Sequence, residues 1–349
     1  MKIFDQNIFQ NDFKSLYICA GGFEDRVRGI LSRIELVNME KVFDYSIILK
    51  YVTHIDDNKN NLLYLEDKMK LISKNILPNV EIDISNILNS NKHLIENFQP
   101  LINFNIDQIF VDISGMSNFL ILLILKALLK FFPNRNIKIL YTEAKLYFPN
   151  EEEQKQIFDL IENKTDDNIL KLSELLQVSG ARDSLILSEY KGLFREDFPI
   201  LLIFFVGHEP SRAIGLLDNY RPDIIIPLYG ESPHKNLKWR TEFSIKLHNN
   251  FKVFDSFKKP SENILISTFE IKEIINKLEE IYRSEINKKI IYENFNVAIS
   301  PQCSKLQTIA TFIFCQTHPD IQVVFCLPDK YNPKRYSTGI GNSWIYNLS

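Results

Sequence analysis

At 349 residues, with 45% hydrophobic residues and nearly balanced charge (41 basic against 44 acidic), the chain has room for two domains of ordinary size around a large buried core. The charge balance argues against an extended nucleic-acid surface while leaving room for a local basic pocket, and the hydrophobic share argues against wholesale disorder. The four cysteines, Cys19, Cys303, Cys315 and Cys326, form no CxxC pair, and the start of the chain carries no signal-type apolar run, so free thiols in a cytoplasmic protein are expected.

In chain order, residues 16–20 read as a strand entering a double-glycine turn, followed by helical spacing of apolar residues over 25–37. A strand at 45–52, a helix at 62–76, a strand at 80–84, a helix at 87–98 and a strand at 108–113 follow. Residues 118–132 form a strongly apolar helix that stops near Pro133, and 137–142 is a fifth strand. The apolar stretch 119–129 is interrupted by Lys126 and is too short to span a bilayer, so a buried helix and no membrane partner are expected. Residues 150–198 are polar, with helical stretches at 152–161 and 169–176 and a hairpin near 185–190. The strand–helix order then repeats: strands at 200–206 and 223–229, a short strand at 252–254, and strands at 297–300 and 321–327. Helices begin at 211 and span 243–249, 268–288 and 305–317. Strands alternating with helices predict an α/β fold with parallel central sheets. The expected division is a first Rossmann-like unit at 1–150, a helical connector at 151–197 and a second Rossmann-like unit with a C-terminal tail at 198–349. The tail after Tyr331 is rich in Tyr, Asn and Gly and is expected to fold over a pocket.

The chain also carries a faint internal repeat. Gly21, Arg26, Gly29 and Leu31 find identical residues at Gly207, Arg212, Gly215 and Leu217, an offset of 186 (26 to 212), and Ile113-Ser114 meets Ile299-Ser300 at the same offset. Two tandem units related as a pseudo-dimer are the expected frame.

Ligands of open parallel sheets bind beyond the carboxyl ends of the strands. Both matched turns fall there, so Gly21, Gly22, Arg26, Ser114 and Gly115 in the first half, and Gly207, His208, Arg212, Ser300 and Lys305 in the second, are candidate ligand-binding residues. Glycine lets the backbone approach a ligand, and a following helix offers free N–H groups to an anion. Each arginine read alone fits a solvated helix face equally well. Helix capping explains Ser117 and Ser304 better than ligand binding does. Capping does not explain Lys305, a cation at a helix start, where the dipole disfavours it. A second cluster after the strand 223–229, with Tyr229, Glu231, His234 and Arg240, reads as a binding loop or as a purely structural one. Glu143 is a candidate acid, with a structural role the stronger reading. There is no GxxxxGK[ST], HExxH, GxSxG or complete GxGxxG, which argues against a P-loop NTPase, a zinc protease, a serine hydrolase and a dinucleotide dehydrogenase. No metal site and no cofactor is expected.

The turns Ala20-Gly21-Gly22 and Asp112-Ile113-Ser114-Gly115-Met116-Ser117, with Val206-Gly207-His208 and Ile299-Ser300-Pro301-Gln302-Cys303-Ser304-Lys305, resemble those of CARF-type Rossmann-like sensor domains of prokaryotic defence systems and the related SAVED domains built from two such units. That family places a small-residue turn after the first strand and a Ser/Thr-Gly turn with a lysine after the fourth. Phe119 stands at the lysine position in the first half, and Pro301-Gln302 stand where glycines belong in the second. The resemblance implies a pseudo-twofold site for a nucleotide-type anion such as a cyclic oligonucleotide, with output supplied by a protein partner. The leading expectation is therefore a cytoplasmic sensor module, a subunit of an anti-phage defence system. The alternatives are an enzyme acting on a nucleotide or nucleoside, and a scaffold that binds only protein.

Overall fold

The computed structural model describes residues 2–9, 13–37, 39–163, 165–176, 178–181, 183–286 and 288–348. The chain divides into two compact units, Met1–Tyr147 with Tyr336–Ser349, and Phe148–Arg335.

In the first unit, strands one to five are Ser15–Ala20, Phe43–Tyr51, Ser73–Ile76, Gln108–Asp112 and Asn136–Thr142. They pair in parallel in the spatial order 3-2-1-4-5, and Val80–Ile82 prolongs the third position along strand two. This is the doubly wound, Rossmann-like order. Strand one is buried at every residue, as its unbroken apolar run requires in a parallel sheet covered on both faces. Tyr17 and Phe43 stack at 4.7 Å between ring centroids in the core, and Phe9 meets Phe110 at 5.0 Å. The helix Asn118–Phe131 is buried from Phe119 through Leu125, so its all-round apolarity reflects a core position.

The second unit repeats the order with Ile200–Val206, Ile224–Glu231, Ile264–Ser267, Asn296–Pro301 and Gln322–Leu327. Both sheets gain an antiparallel strand beyond strand five. In the first unit it is Ser343–Asn347 against Asn136–Thr142, and in the second it is Asp183–Ile186 against Gln322–Leu327. These strands are exchanged along the chain. The segment after the first unit's fifth strand completes the second sheet, and the segment after the second unit's fifth strand completes the first.

The units therefore differ from the expected boundaries. The tail expected with 198–349 belongs to the first unit from Tyr336 onward, because Ser343–Asn347 satisfies the edge of strand five there. The connector expected at 151–197 belongs to the second unit. Ile157, Ile161, Leu172 and Leu176 bury one apolar cluster with Phe243 and Leu247, and an Asn150–Glu153 capping box opens the helix Glu151–Glu162.

Several element readings change as well. The helix expected at 62–76 is Ile55–Ile72, ending in the strand Ser73–Ile76. The strand expected at 252–254 is a turn: Lys252 is left-handed at φ 51°, and Val253 N donates to the His248 carbonyl. Val253 and Phe254 are nonetheless buried, which is why their apolarity mimicked a strand. The hairpin expected near 185–190 is absent among the described residues: Asp183–Ile186 pairs with a distant strand, and a 3-10 turn, Ser188–Tyr190, follows it. The helix expected at 268–288 is Ile271–Arg283, and Asn287 lies outside the described residues.

Set at the 186-residue offset on strand one, the expected repeat does not carry through to strand four. Cys19 pairs with Asp112, and Phe205, its counterpart at the 186 offset, pairs with Pro301. The ladder therefore places strand four at an offset of 189 (112 to 301), and Ser114 is not the counterpart of Ser300. The first unit uses five residues, 113–117, to reach its next helix, and the second uses three, 302–304.

Candidate functional site

In the first unit the turns after strands one and four touch. A Cβ on Gly22 would lie 2.8 Å from the Gly115 carbonyl oxygen, and a Cβ on Gly115 would collide with the carbonyl oxygen of Ala20. These glycines are required by backbone packing across the crevice where a Rossmann ligand would sit. Gly21 continues the ladder, its N–H donating to the Leu49 carbonyl at 2.9 Å. Ser114 is fully buried; its Oγ donates to Asp112 Oδ1 at 2.5 Å and accepts from Thr142 N at 2.9 Å.

Arg26 is 7% exposed, with Nη2 donating to both Glu24 carboxylate oxygens at 2.7 and 2.8 Å and Nη1 to Tyr141 Oη at 3.3 Å. Its guanidinium lies 5.9 and 5.8 Å from the Tyr141 and Tyr147 rings. Burial by itself would lower the Arg26 pKa, but the Glu24 carboxylate and the two tyrosines more than offset it, so the guanidinium is held charged above its ordinary range. The tail crosses this group. Ser337 Oγ donates to Glu24 Oε1 at 2.5 Å, Gly339 N to Asp25 Oδ2 at 2.8 Å, and Arg33 Nη2 to the Gly341 carbonyl at 2.6 Å. Glu143 accepts from Trp344 Nε1 at 2.8 Å, a structural tie for the acid singled out in the sequence.

The second unit's crevice is built differently. A Cβ on Gly207 would meet only the Gln302 carbonyl, at 3.2 Å. The helix Pro210–Tyr220 begins there with no side-chain cap, so the donors of its first turn have no capping acceptor. His208 Nδ1, Ser211 Oγ, Arg212 Nε and Gln302 Oε1 are buried atoms without a hydrogen-bond partner. Of these side chains, Arg212 is fixed through Nη2 to the Cys326 carbonyl at 3.1 Å, and Gln302 through Nε2 to Ser300 Oγ at 2.9 Å. Ser300 is itself fully buried. Ser244 Oγ, on the helix Trp239–Asn250, donates to the Gly207 carbonyl at 2.7 Å and holds the turn.

Burial, with Arg240 and His248 nearby, holds the His208 pKa well below the ordinary imidazole range. Burial also lowers His248 to about 4 and raises Cys303 to about 11. All three are neutral near pH 7, so they offer hydrogen bonds without net charge; the charged residues at this helix start are Arg212 and the buried N-cap residue Glu209.

Lys305 opens the helix Lys305–Thr317, half-buried and engaged in an interaction of its own. The helix start is closed by a Ser304–Gln307 capping box, with Gln307 N donating to Ser304 Oγ at 3.1 Å. Of the expected loop, Tyr229 is buried in strand two and Glu231 is exposed at its end, its carbonyl accepting from Thr268 N at 3.0 Å. The His234 ring meets Phe269 edge-on, with centroids 5.9 Å apart. Arg240 donates to the carbonyls of Pro149 and Phe148 at 2.6 and 3.1 Å, a structural tie to the start of this unit. Gly207, His208, Arg212 and Ser300 thus share one strand-end region, while Arg26, Ser114 and Arg240 are consumed by internal bonds. Ser211 and Gln302 were not singled out in the sequence. Their signal was a run of polar residues immediately after the strand-one glycine, and a glutamine where a glycine was awaited.

No family model matches the chain, and no curated protein matches it. Among solved structures, it is similar to a universal stress protein from Archaeoglobus fulgidus DSM 4304 at 10% identity and a TM-score of 0.24, over 90% of this chain and 96% of that one. It is similar to UDP-GlcNAc 2-epimerase from Neisseria meningitidis bound to UDP-GlcNAc at 11% identity and a TM-score of 0.24, over 82% and 77%. A third is the lipopolysaccharide outer core galactosyltransferase WaaB in its apo form, at 12% identity and a TM-score of 0.25, over 83% and 81%. The assignment of both units as Rossmann-like α/β units follows from the chain's own strand order and register.

Proposed function

We propose that the carboxyl end of the second unit's sheet binds an anionic, nucleotide-type ligand and that the protein is a sensor module. One observation carries this reading. An uncapped helix start coincides with buried polar atoms that lack hydrogen-bond partners, among them His208 Nδ1, Ser211 Oγ, Arg212 Nε and Gln302 Oε1, on the two turns flanking the crevice between strands one and four, and the buried Glu209 side chain stands at the same helix start. Buried donors and acceptors are costly to leave unmet, by about 1–3 kcal/mol each, and a phosphate or ribose would meet them. The likeness of the turns to CARF and SAVED sensors makes cyclic oligonucleotides the first ligands to test, and an anti-phage defence complex the setting in which a partner would supply the output. Among the described residues no helix is long and apolar enough to cross a membrane.

A panel of mononucleotides and cyclic di-, tri- and tetranucleotides, read by thermal shift and by product chromatography, tests the reading. Stabilisation without turnover is expected, and it should be lost in Arg212→Ala and Ser211→Ala while Arg240→Lys retains it. Turnover would replace the sensor with an enzyme, and stabilisation that survives Arg212→Ala would move the site elsewhere.

A further inference from the structure

The second unit holds a concavity at the amino-terminal end of its sheet, opposite the proposed nucleotide site, and we propose that it binds a medium-chain carboxylate, hydrocarbon inward and acid group at the lysine rim. The cleft measures about 430 Å3, within the roughly 300–1,000 Å3 of small-molecule sites. Its walls are isoleucines: Ile224 and Ile226 from strand two, Ile264 at the start of strand three, Ile281 at the end of the next helix, and Ile286.

The strand pairing shows how the cleft forms. Ile224 bridges to Lys258, and Ile225 N donates to the Lys258 carbonyl at 2.9 Å. Pairing resumes only at Leu228 with Ile264. Strand two advances four residues, 224 to 228, while its neighbour advances six, 258 to 264, so two surplus residues leave the ladder and the edge opens. Directions alternate along a strand, so residue 227 would aim its N–H at the gap as Ile225 does. Residue 227 is proline, which has no N–H to leave unmet. The opening therefore costs no backbone donor, and a hydrocarbon can lie there without a strand being needed to fill it.

The rim fixes the head group. Lys258 is exposed and has no ion-pair partner among the described residues, Lys259 stands 3.6 Å from Asp255, and Glu285 is the acidic group on the lining. An anionic head can pair with Lys258 while its tail covers isoleucine, whereas a cationic head would meet two lysines.

Decanoate, decanol and decyltrimethylammonium, each below its micellar range, serve as probes of the full chain by isoleucine-methyl NMR. Decanoate should shift the Ile226, Ile264 and Ile286 methyls, with decanol binding about tenfold more weakly, as loss of one charge-assisted contact implies. Lys258→Ala should bring decanoate down to the decanol level and leave decanol unchanged. Ile264→Trp, or Ile286→Trp at the rim should the first variant fold poorly, should abolish both. The proposal is overturned if these methyls do not respond to decanoate, if decyltrimethylammonium binds as well as decanoate, or if Lys258→Ala leaves decanoate binding intact. None of these readouts depends on the nucleotide site at the other end of the sheet.

Discussion

The first unit closes the crevice between strands one and four with backbone, Gly22 against Gly115, and neutralises its arginine with Glu24. The second lines the same crevice with polar side chains, His208, Ser211 and Gln302, and its arginine touches one carbonyl, although an uncapped helix start and an arginine Nε without a partner occur in both units. The same strand order thus hosts a copy closed by backbone and one lined by polar side chains, and a matched glycine or arginine in the sequence has a different physical reason in each. Fold and site are separable, because strand order is set by apolar runs and the site by a few residues at their ends.

The largest effect should separate the two arginines. Arg26→Ala leaves the Glu24 carboxylate, whose side chain is 10% exposed, without its cation, and should cost about 3–5 kcal/mol. Arg212→Ala should cost less than about 1 kcal/mol. Urea unfolding of both variants checks this, and equal losses would break the contrast. The glycines come next. Gly115→Ala must push strand one's backbone aside and should cost about 2–3 kcal/mol, while Gly207→Ala, facing only the Gln302 carbonyl at 3.2 Å, should cost under about 1 kcal/mol. Melting midpoints suffice to compare them.

A third test sharpens the contrast through acid. His248 has its pKa lowered by burial to about 4, against about 6.5 in an unfolded chain. As pH falls below about 6.5 the unfolded chain takes up the proton first, so the stability present above that pH is lost progressively until about pH 4. The stability difference between pH 7.5 and 5 should therefore shrink by about 2 kcal/mol in His248→Phe. An unchanged pH slope would show that this imidazole is not held neutral. His208 acts in the same direction and is itself lowered in part by His248, so the change in slope reports His248 together with its effect on His208.

Much of the fold was legible because parallel strands buried on both faces are unbroken apolar runs, such as Ile200–Val206 and Gln322–Leu327. Short or partly exposed strands were not. Ile264–Ser267 is four residues with Leu265 exposed, and Ser343–Asn347 draws its partner from a strand two hundred residues away. The turns after strands one and four were found from glycine and serine, yet nothing local distinguishes a glycine that meets a ligand from one that meets another glycine. The match of Ile113-Ser114 with Ile299-Ser300 misled because an apolar residue followed by a small hydroxyl is common at strand ends, and only the hydrogen-bonded register exposes the three-residue shift.

The exchanged outer strands set a timetable for synthesis. Strand five of the first unit ends at Thr142, and the strand that covers its edge begins at Ser343. Translation at about 5–20 residues per second separates the two by roughly 10–40 s. Through that interval the edge of Asn136–Thr142 is uncovered on the nascent chain, and the segment that emerges first, Asp183–Ile186, is the one that must not settle there. A chaperone, or slow growth of the chain, would therefore change the yield of native protein more than the final stability of either unit.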